Sequence, residues 1–481
     1  MLFSSIPFII LFLPVILLVY YCCPFLAGRN IILLAASLLF YAWGEPKFVI
    51  LMALSILVNY SAGLLIGAGT FSKAQRKTFL AAGVFLNLLA LFFFKYLGFS
   101  EQILNTLIRL FHLPAFQVKV HQFMLPLGIS FYTFQSLSYL IDVYRSPPLV
   151  QRNIVKLGLF ISFFPQLIAG PIVRYHDIYE QITSRRHSLE LFSRGIERFI
   201  IGLAKKALVA NTLAEVVDGI LKLPYRDVPP VYLLLVVVCG TLQIYYDFSG
   251  YSDMAIGLGR MFGFRIMENF NYPLMARSPS DFWKRWHISL STWARDYLYF
   301  PLGGGRKGAG RQIVNTLVVF ALVGLWHGAS YNFIVFGLIS GMLVIMERAL
   351  KAATDPFFAG KGKGGLIAKL VLSYAACFSI EITQFMYFRL DLQSSFSFYT
   401  NLFNIGRKVS TPLDVLFLTD TRFYIFFMAA IAFAFPWWRK LHIRENAATA
   451  SVKYVLLLCL FVLSFGALTT DAYNPFIYFR F

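Results

Sequence analysis

Apolar runs near the length of a bilayer-spanning helix recur from one end of this 481-residue sequence to the other. They fall at Phe3–Leu26, Ile31–Trp43, Phe48–Ile66, Phe79–Leu97, Phe123–Val143, Ile154–Ile172, Val231–Gly259, Ile313–Ile345, Leu366–Phe388, Phe423–Trp437 and Tyr454–Leu468. A helix needs roughly 20 mostly apolar residues to cross the hydrocarbon core. The pattern predicts an all-α fold, a polytopic transmembrane helical bundle of about ten to twelve spans with re-entrant and interfacial helices. Only 14% of the residues are charged, against about a quarter in a soluble domain. So few charges could not cover a water-facing surface of this size, and lipid must solvate much of it. No repeat or low-complexity linker divides the chain, so residues 1–481 read as a single integral membrane domain. Lys361–Gly365 reads as a short flexible loop.

The formal net charge of +20 would point to nucleic acid in a soluble protein. Here the basic residues sit between apolar runs, which is how cytoplasmic loops are marked. One such loop carries Lys73, Arg76 and Lys77, and a second carries Arg145, Arg152 and Lys156. A third stretch runs from Arg174 through Arg185, Arg186, Arg194 and Arg198 to Lys205 and Lys206. The last two loops flank Ile154–Ile172 and cannot both be cytoplasmic if that run crosses once. Pro165, Gly170 and Pro171 therefore predict a broken, re-entrant segment there. By the same counting the first residues face outward. Met1–Phe25 lacks a basic leader and a small-residue cleavage site, so it reads as a retained first span. The cysteines Cys22, Cys23, Cys239, Cys377 and Cys459 form no CxxC pair and read as small buried hydrophobes, with no disulfide framework and no metal site.

Ionisable side chains inside apolar runs are costly and mark function by default. His327 is the sharpest case, in Phe320–Ser330 (FALVGLWHGAS). A packing histidine bonded to a carbonyl is the alternative. A neutral imidazole kept from water is a suitable general base, because desolvation disfavours its charged form. A second segment, Ser280–Leu302 (SDFWKRWHISLSTWARDYLYFPL), sets Trp283, Trp286, Trp293, Tyr297 and Tyr299 among Lys284, Arg285, Arg295 and Asp296. That mixture marks the membrane–water boundary and fits an interfacial amphipathic helix, which accounts for everything except His287. The glycine turn that follows carries Arg306 and Lys307, whose charge beside backbone amides suits phosphate. A third segment, Gln243–Arg260, holds Asp247 and Asp253, for which two readings stand side by side: a structural one, in which they pair with cations of the aromatic segment, and a functional one.

These stretches resemble the membrane-bound O-acyltransferase family, and within it the bacterial branch that includes the membrane subunit of alginate O-acetyltransferases. The resemblance is carried by MLFSSIPFIILFLPV, LPLGISFYTFQSLSYLIDVYR (Leu125–Arg145), FFPQLIAGPIVRY (Phe163–Tyr175), QIYYDFSGYSDMAIGLGRMFGF, ENFNYP (Glu268–Pro273), DFWKRWHISLSTWARDYLYFPLGG, LWHGASYNF and the ending NPFIYFRF. It implies a helical bundle around a tunnel, with the family's catalytic histidine at His327 and a supporting site at His287. It also implies acetyl-coenzyme A as the cytoplasmic donor, with no tightly bound cofactor. The basic residues Lys284, Arg285, Arg306 and Lys307 are then candidates to hold the donor's phosphates. A hydrolase-like extracytoplasmic partner would complete transfer to a polysaccharide. The resemblance places the chain in the inner membrane. GGGRKGAG stands where GGNR is the family's pattern, and it keeps the basic charge. The acceptor stays open among alginate-like exopolysaccharide, cellulose and peptidoglycan. A transporter or export component is the alternative from another class, and it would predict an internal repeat and charges at mid-membrane depth. A passive scaffold for a periplasmic enzyme would not need a buried histidine.

Overall fold

The computed structural model describes residues 2–112, 116–358, 389–407, 409–437 and 446–470, with the single positions 371, 377 and 380. The Lys361–Gly365 loop and the ending NPFIYFRF lie outside the described residues, as does most of the 366–388 run. Every regular element among the described residues is helical. Seven helices there are long and apolar enough to cross a membrane: Leu26–Gly44, Val49–Gly67, Lys73–Leu110, Pro230–Met261, Ala309–His327, Tyr331–Lys351 and Ala448–Thr470. Two shorter apolar helices, Phe8–Cys22 and Thr421–Phe433, join them. The chain divides into two compact units, residues 1–195 with 255–267, and residues 196–254 with 268–481.

The first unit begins with α1 (Leu13–Cys22), α2 (Leu26–Gly44), α3 (Val49–Gly67), α4 (Lys73–Leu91) and α5 (Leu97–Leu110). It continues with α6 (Ile129–Arg145), α7 (Ile154–Ser162), α8 (Phe164–Leu167) and α9 (Tyr175–Thr183). Ser72 and Gln75 cap α4 reciprocally, each side chain taking the other's backbone N–H. The predicted break in 154–172 is present. Phe163 is extended at φ −52° and ψ 109°, which ends α7 and leaves its last carbonyls to be satisfied otherwise. The Gln166 amide donates to the Phe160 carbonyl at 2.8 Å, and the Phe164 N–H donates to Ser37 Oγ at 3.1 Å. Protein groups replace the lost helix bonds, as buried irregular backbone requires. His187 Nε2 lies 2.7 Å from the Tyr20 hydroxyl, and Arg29 reaches His187 Nδ1 at 3.2 Å. The end of the first apolar run, at Tyr20, therefore packs against the start of the basic stretch, at His187, within this unit.

The second unit contains most of α10 (Leu189–Ala204), then a π-helical turn at Lys205–Ala210, α11 (Asn211–Leu221) and most of α12 (Pro230–Met261). Next come α13 (Pro279–Arg285), α14 (Ile288–Ala294), α15 (Ala309–His327) and α16 (Tyr331–Phe358). Shorter helices and the apolar α17 (Ala447–Thr470) complete it. The sequence reading needs three corrections here. Asp247 and Asp253 pair with cations of α10 and its π turn: Lys206 Nζ lies 2.6 Å from Asp247, and Lys205 Nζ and Arg198 each lie 2.7 Å from Asp253. Lys205 and Lys206 are accordingly not loop charges, and Lys206 is buried. The aromatic segment is not one boundary helix either. Trp286, Trp293 and Tyr297 are buried, with Trp286 stacked on Phe282 at 5.6 Å. Trp286 joins the hydrophobic core of the unit because α13 ends at Arg285 and the chain turns sharply at His287. Finally, Cys22 and Cys459 are exposed on apolar helices, while Cys239 and Cys377 are buried as expected.

Candidate active site

Both histidines singled out from the sequence lie in the second unit, and both are buried. His327 is the last residue of α15, and Gly328 follows in extended conformation. The sequence pattern placed it within an apolar span. The structure sets it at the tip of the α15–α16 hairpin, kept from solvent by protein. Its ring lies 5.9 Å from Phe336 and 6.4 Å from Phe333. A Cβ on Gly328 would fall 2.2 Å from the Phe333 ring, so the glycine of the Trp-His-Gly triplet is what lets that ring close over the histidine.

His287 occupies the sharp turn between α13 and α14 with φ +43° and ψ +53°. A left-handed conformation is uncommon for a residue with a Cβ, and surrounding structure must hold it there. The chain 268–272 supplies that hold. Ile288 N donates to the Asn269 carbonyl at 2.9 Å, and Asn271 N donates to the Arg285 carbonyl at 2.9 Å. His287 Nδ1 lies 3.1 Å from Asn269 Oδ1. Burial alone pushes the imidazole down to about 3, so the ring is neutral at any working pH.

The two histidines meet through one indole. The Trp326 ring lies 4.7 Å from the His327 ring and 5.9 Å from the His287 ring, and Phe248 of α12 closes on His287 edge to face at 4.7 Å. Two imidazoles in an aromatic, water-poor setting can accept or relay a proton without competing hydration. Trp326 stood beside His327 in the sequence, but its second contact depends on a fold no local pattern reveals. Asn269 was likewise legible only as part of a motif. An asparagine amid apolar residues was the available signal, since a buried amide is kept for its hydrogen bonds.

The four basic candidates separate. Arg285 is engaged, with Nε 3.0 Å from Asp281 and a further bond to the Asn271 carbonyl at 3.3 Å. Lys284, Arg306 and Lys307 are exposed. Arg306 and Lys307 ride on a turn in which Gly303, Gly304 and Gly308 all have positive φ. Asn315 of α15 pins that turn by donating to the carbonyls of Leu302 at 3.2 Å and Gly304 at 2.9 Å. The cations are thus presented by a braced turn and stay open to an anion.

The model for MBOAT, the membrane-bound O-acyltransferase family, matches residues 148–389, which include both histidines and Asn269. The probable alginate O-acetylase AlgI of Pseudomonas putida is 39% identical over 503 aligned residues that cover the whole of both chains. The protein of the same name in Pseudomonas aeruginosa is 40% identical over 90% of this chain and 81% of that one. The peptidoglycan O-acetyltransferase of Helicobacter pylori is 35% identical over 74% of this chain and 72% of that one. With its helices long enough to span a bilayer, this chain belongs to the membrane-bound O-acyltransferase family as a multi-pass membrane protein.

Proposed function

We propose that this acyltransferase takes an acetyl group from cytoplasmic acetyl-coenzyme A and delivers it, across the inner membrane, for O-acetylation of an alginate-like extracytoplasmic polysaccharide. The observation that carries the reading is the buried His287–Trp326–His327 cluster, in a chain whose relatives of full length are named as alginate O-acetylases. In the reaction a base takes the proton of the acceptor hydroxyl as its oxygen bonds to the thioester carbon. The carbon–sulfur bond breaks, and the departing thiolate receives the proton, leaving an ester and free coenzyme A. His327 is the base in this reading, and His287 supports it. Arg306 and Lys307 offer cations to the nucleotide phosphates of the donor. Polymer hydroxyls are costly to strip of water, and a relay through a hydrolase-like periplasmic partner avoids drawing the polymer into an apolar site.

The test is release of free coenzyme A thiol from acetyl-coenzyme A by the purified full-length protein. His327→Ala should lower turnover by ~100- to 10,000-fold, the usual contribution of a general base, while the variant elutes as the wild type does in detergent. Near-normal turnover in that variant would remove His327 from the chemistry. Efficient acetylation of alginate by liposomes holding this protein alone would remove the partner.

A further inference from the structure

The hydrogen bonds around His287 fix which of its nitrogens carries the proton. Asn269 is fully buried, and its side-chain oxygen accepts the backbone N–H of Ser289 at 3.2 Å. A backbone N–H can only donate, so the atom facing it is oxygen and the amide cannot be flipped. Its nitrogen points the other way and donates to Ser252 Oγ of α12 at 3.1 Å. The same oxygen lies 3.1 Å from His287 Nδ1. Two lone pairs would repel at that distance, so Nδ1 must bear the hydrogen. The Ser289 hydroxyl offers no alternative, because it is 2.8 Å from Asn269 Oδ1 and 3.4 Å from Nδ1 and spends its proton on the amide. With Nδ1 protonated and the ring neutral, Nε2 is a bare lone pair. That atom is buried and has no hydrogen-bond partner among the described residues. A buried acceptor left so is costly, and a hydroxyl donor would recover that cost.

We propose that Asn269, anchored by Ser252, is a positioning residue that locks His287 in its Nδ1–H form and so presents Nε2 as a hydrogen-bond acceptor for a donor group of the bound substrate, beside the base His327. This rests on the reading of His287 as part of the acyl-transfer site. The charged neighbours do not perform the task. On α12, Asp247 is held by Lys206, and Asp253 by Lys205 and Arg198. Arg198 also holds Glu268, Asp281 holds Arg285, and His327 lies beyond the Trp326 ring. The chain segment ENFNYP thereby gains a role: its first asparagine both shapes the His287 turn, through its carbonyl, and sets the tautomer, through its amide.

Full-length protein in lipid, labelled with 15N-histidine, gives a readout independent of activity. The ring resonances that vanish in His287→Ala should report a neutral Nδ1–H ring in the wild type. In the near-isosteric Asn269→Asp variant a carboxylate in contact raises the histidine by roughly 1–3 pKa units, so they should report a ring that becomes charged on acidification toward about pH 5, where the wild-type ring stays neutral. Coenzyme A release is then compared across pH. Asn269→Asp should acquire a loss of about 10-fold or more on acidification that the wild type lacks, and Asn269→Ala should lose activity throughout. Adding Asn269→Ala to His287→Ala should cost nothing more, because the asparagine acts through the histidine. An Nε2–H ring in the wild type, or an Asn269→Asp profile superimposable on the wild type, would overturn the proposal. Full activity in His287→Ala would instead strike at the acyl-transfer role of His287 and leave the tautomer result standing.

Discussion

The buried pair Lys206–Asp247 makes a stability prediction that can be worked from its geometry. The two charges lie 2.6 Å apart with side-chain exposures of 2% and 1%. The π turn at Lys205–Ala210 is what makes the pair possible. A widened turn lets consecutive lysines serve two acidic residues of α12, Lys206 at Asp247 and Lys205 at Asp253. Removing one member of a buried pair strands the other charge in a poorly polarisable setting and typically costs about 3–5 kcal/mol. Replacing both with apolar residues of similar volume is often near neutral, because desolvation of the pair consumes most of its attraction. Lys206→Met and Asp247→Leu should therefore each lose about 3–5 kcal/mol, whereas independent losses would sum to roughly 6–10 kcal/mol in the double variant. The expectation is that the double variant is more stable than either single one. Thermal unfolding of the purified proteins in one detergent, followed by the fraction that remains monodisperse after heating, gives the order directly. Single variants within about 1 kcal/mol of the wild type, or a double variant that shows the sum, would mean that the pair is solvated and the reasoning wrong.

Three further outcomes follow from other parts of the molecule. A Cβ at Gly202 of α10 would meet the Gly250 carbonyl oxygen at 2.5 Å and the Met254 nitrogen at 2.7 Å, both backbone atoms. Gly202→Ala should thus lower thermal stability by about 1–3 kcal/mol, while Gly69→Ala, with nothing within 4 Å, should not. His176 Nδ1 lies 2.8 Å from Asp142, and that hydrogen bond raises its pKa. The stabilisation is complete below the histidine's unfolded pKa and disappears as pH rises through the folded value, so His176→Gln should cost more stability near pH 6 than near pH 9; equal losses in melting temperature would refute it. Arg306→Gln with Lys307→Gln should raise the apparent KM for acetyl-coenzyme A, more so at low ionic strength, and a KM indifferent to salt would place the donor elsewhere.

The helices were legible because apolar composition over some 20 residues states its own solvent. The break in 154–172 was legible too, since proline and glycine act locally, and the structure places the interruption at Phe163, one residue ahead of the Phe164-Pro165 step. What escaped was every relation between distant residues. Asp247 and Asp253 could be recognised as needing cations, yet the nearest basic run to hand, the aromatic segment, was the wrong choice. The partners lie some 40 to 55 residues upstream, and only a π turn, invisible to a 3.6-residue period, brings both lysines to bear. The aromatic segment itself had the composition of a boundary helix, and its burial follows from the left-handed turn at His287, which a histidine does not advertise. For the candidate site, composition and motif could name His327 and His287 separately. Their shared contact with Trp326, and the amide that decides which His287 nitrogen is bare, arise from the part of α12 around Ser252, the 268–272 chain and α15 meeting in one place. Which of its atoms a side chain uses depends on such a meeting, so the chemistry of His287 could be read only once Ser252, Asn269 and Ser289 had been placed around it.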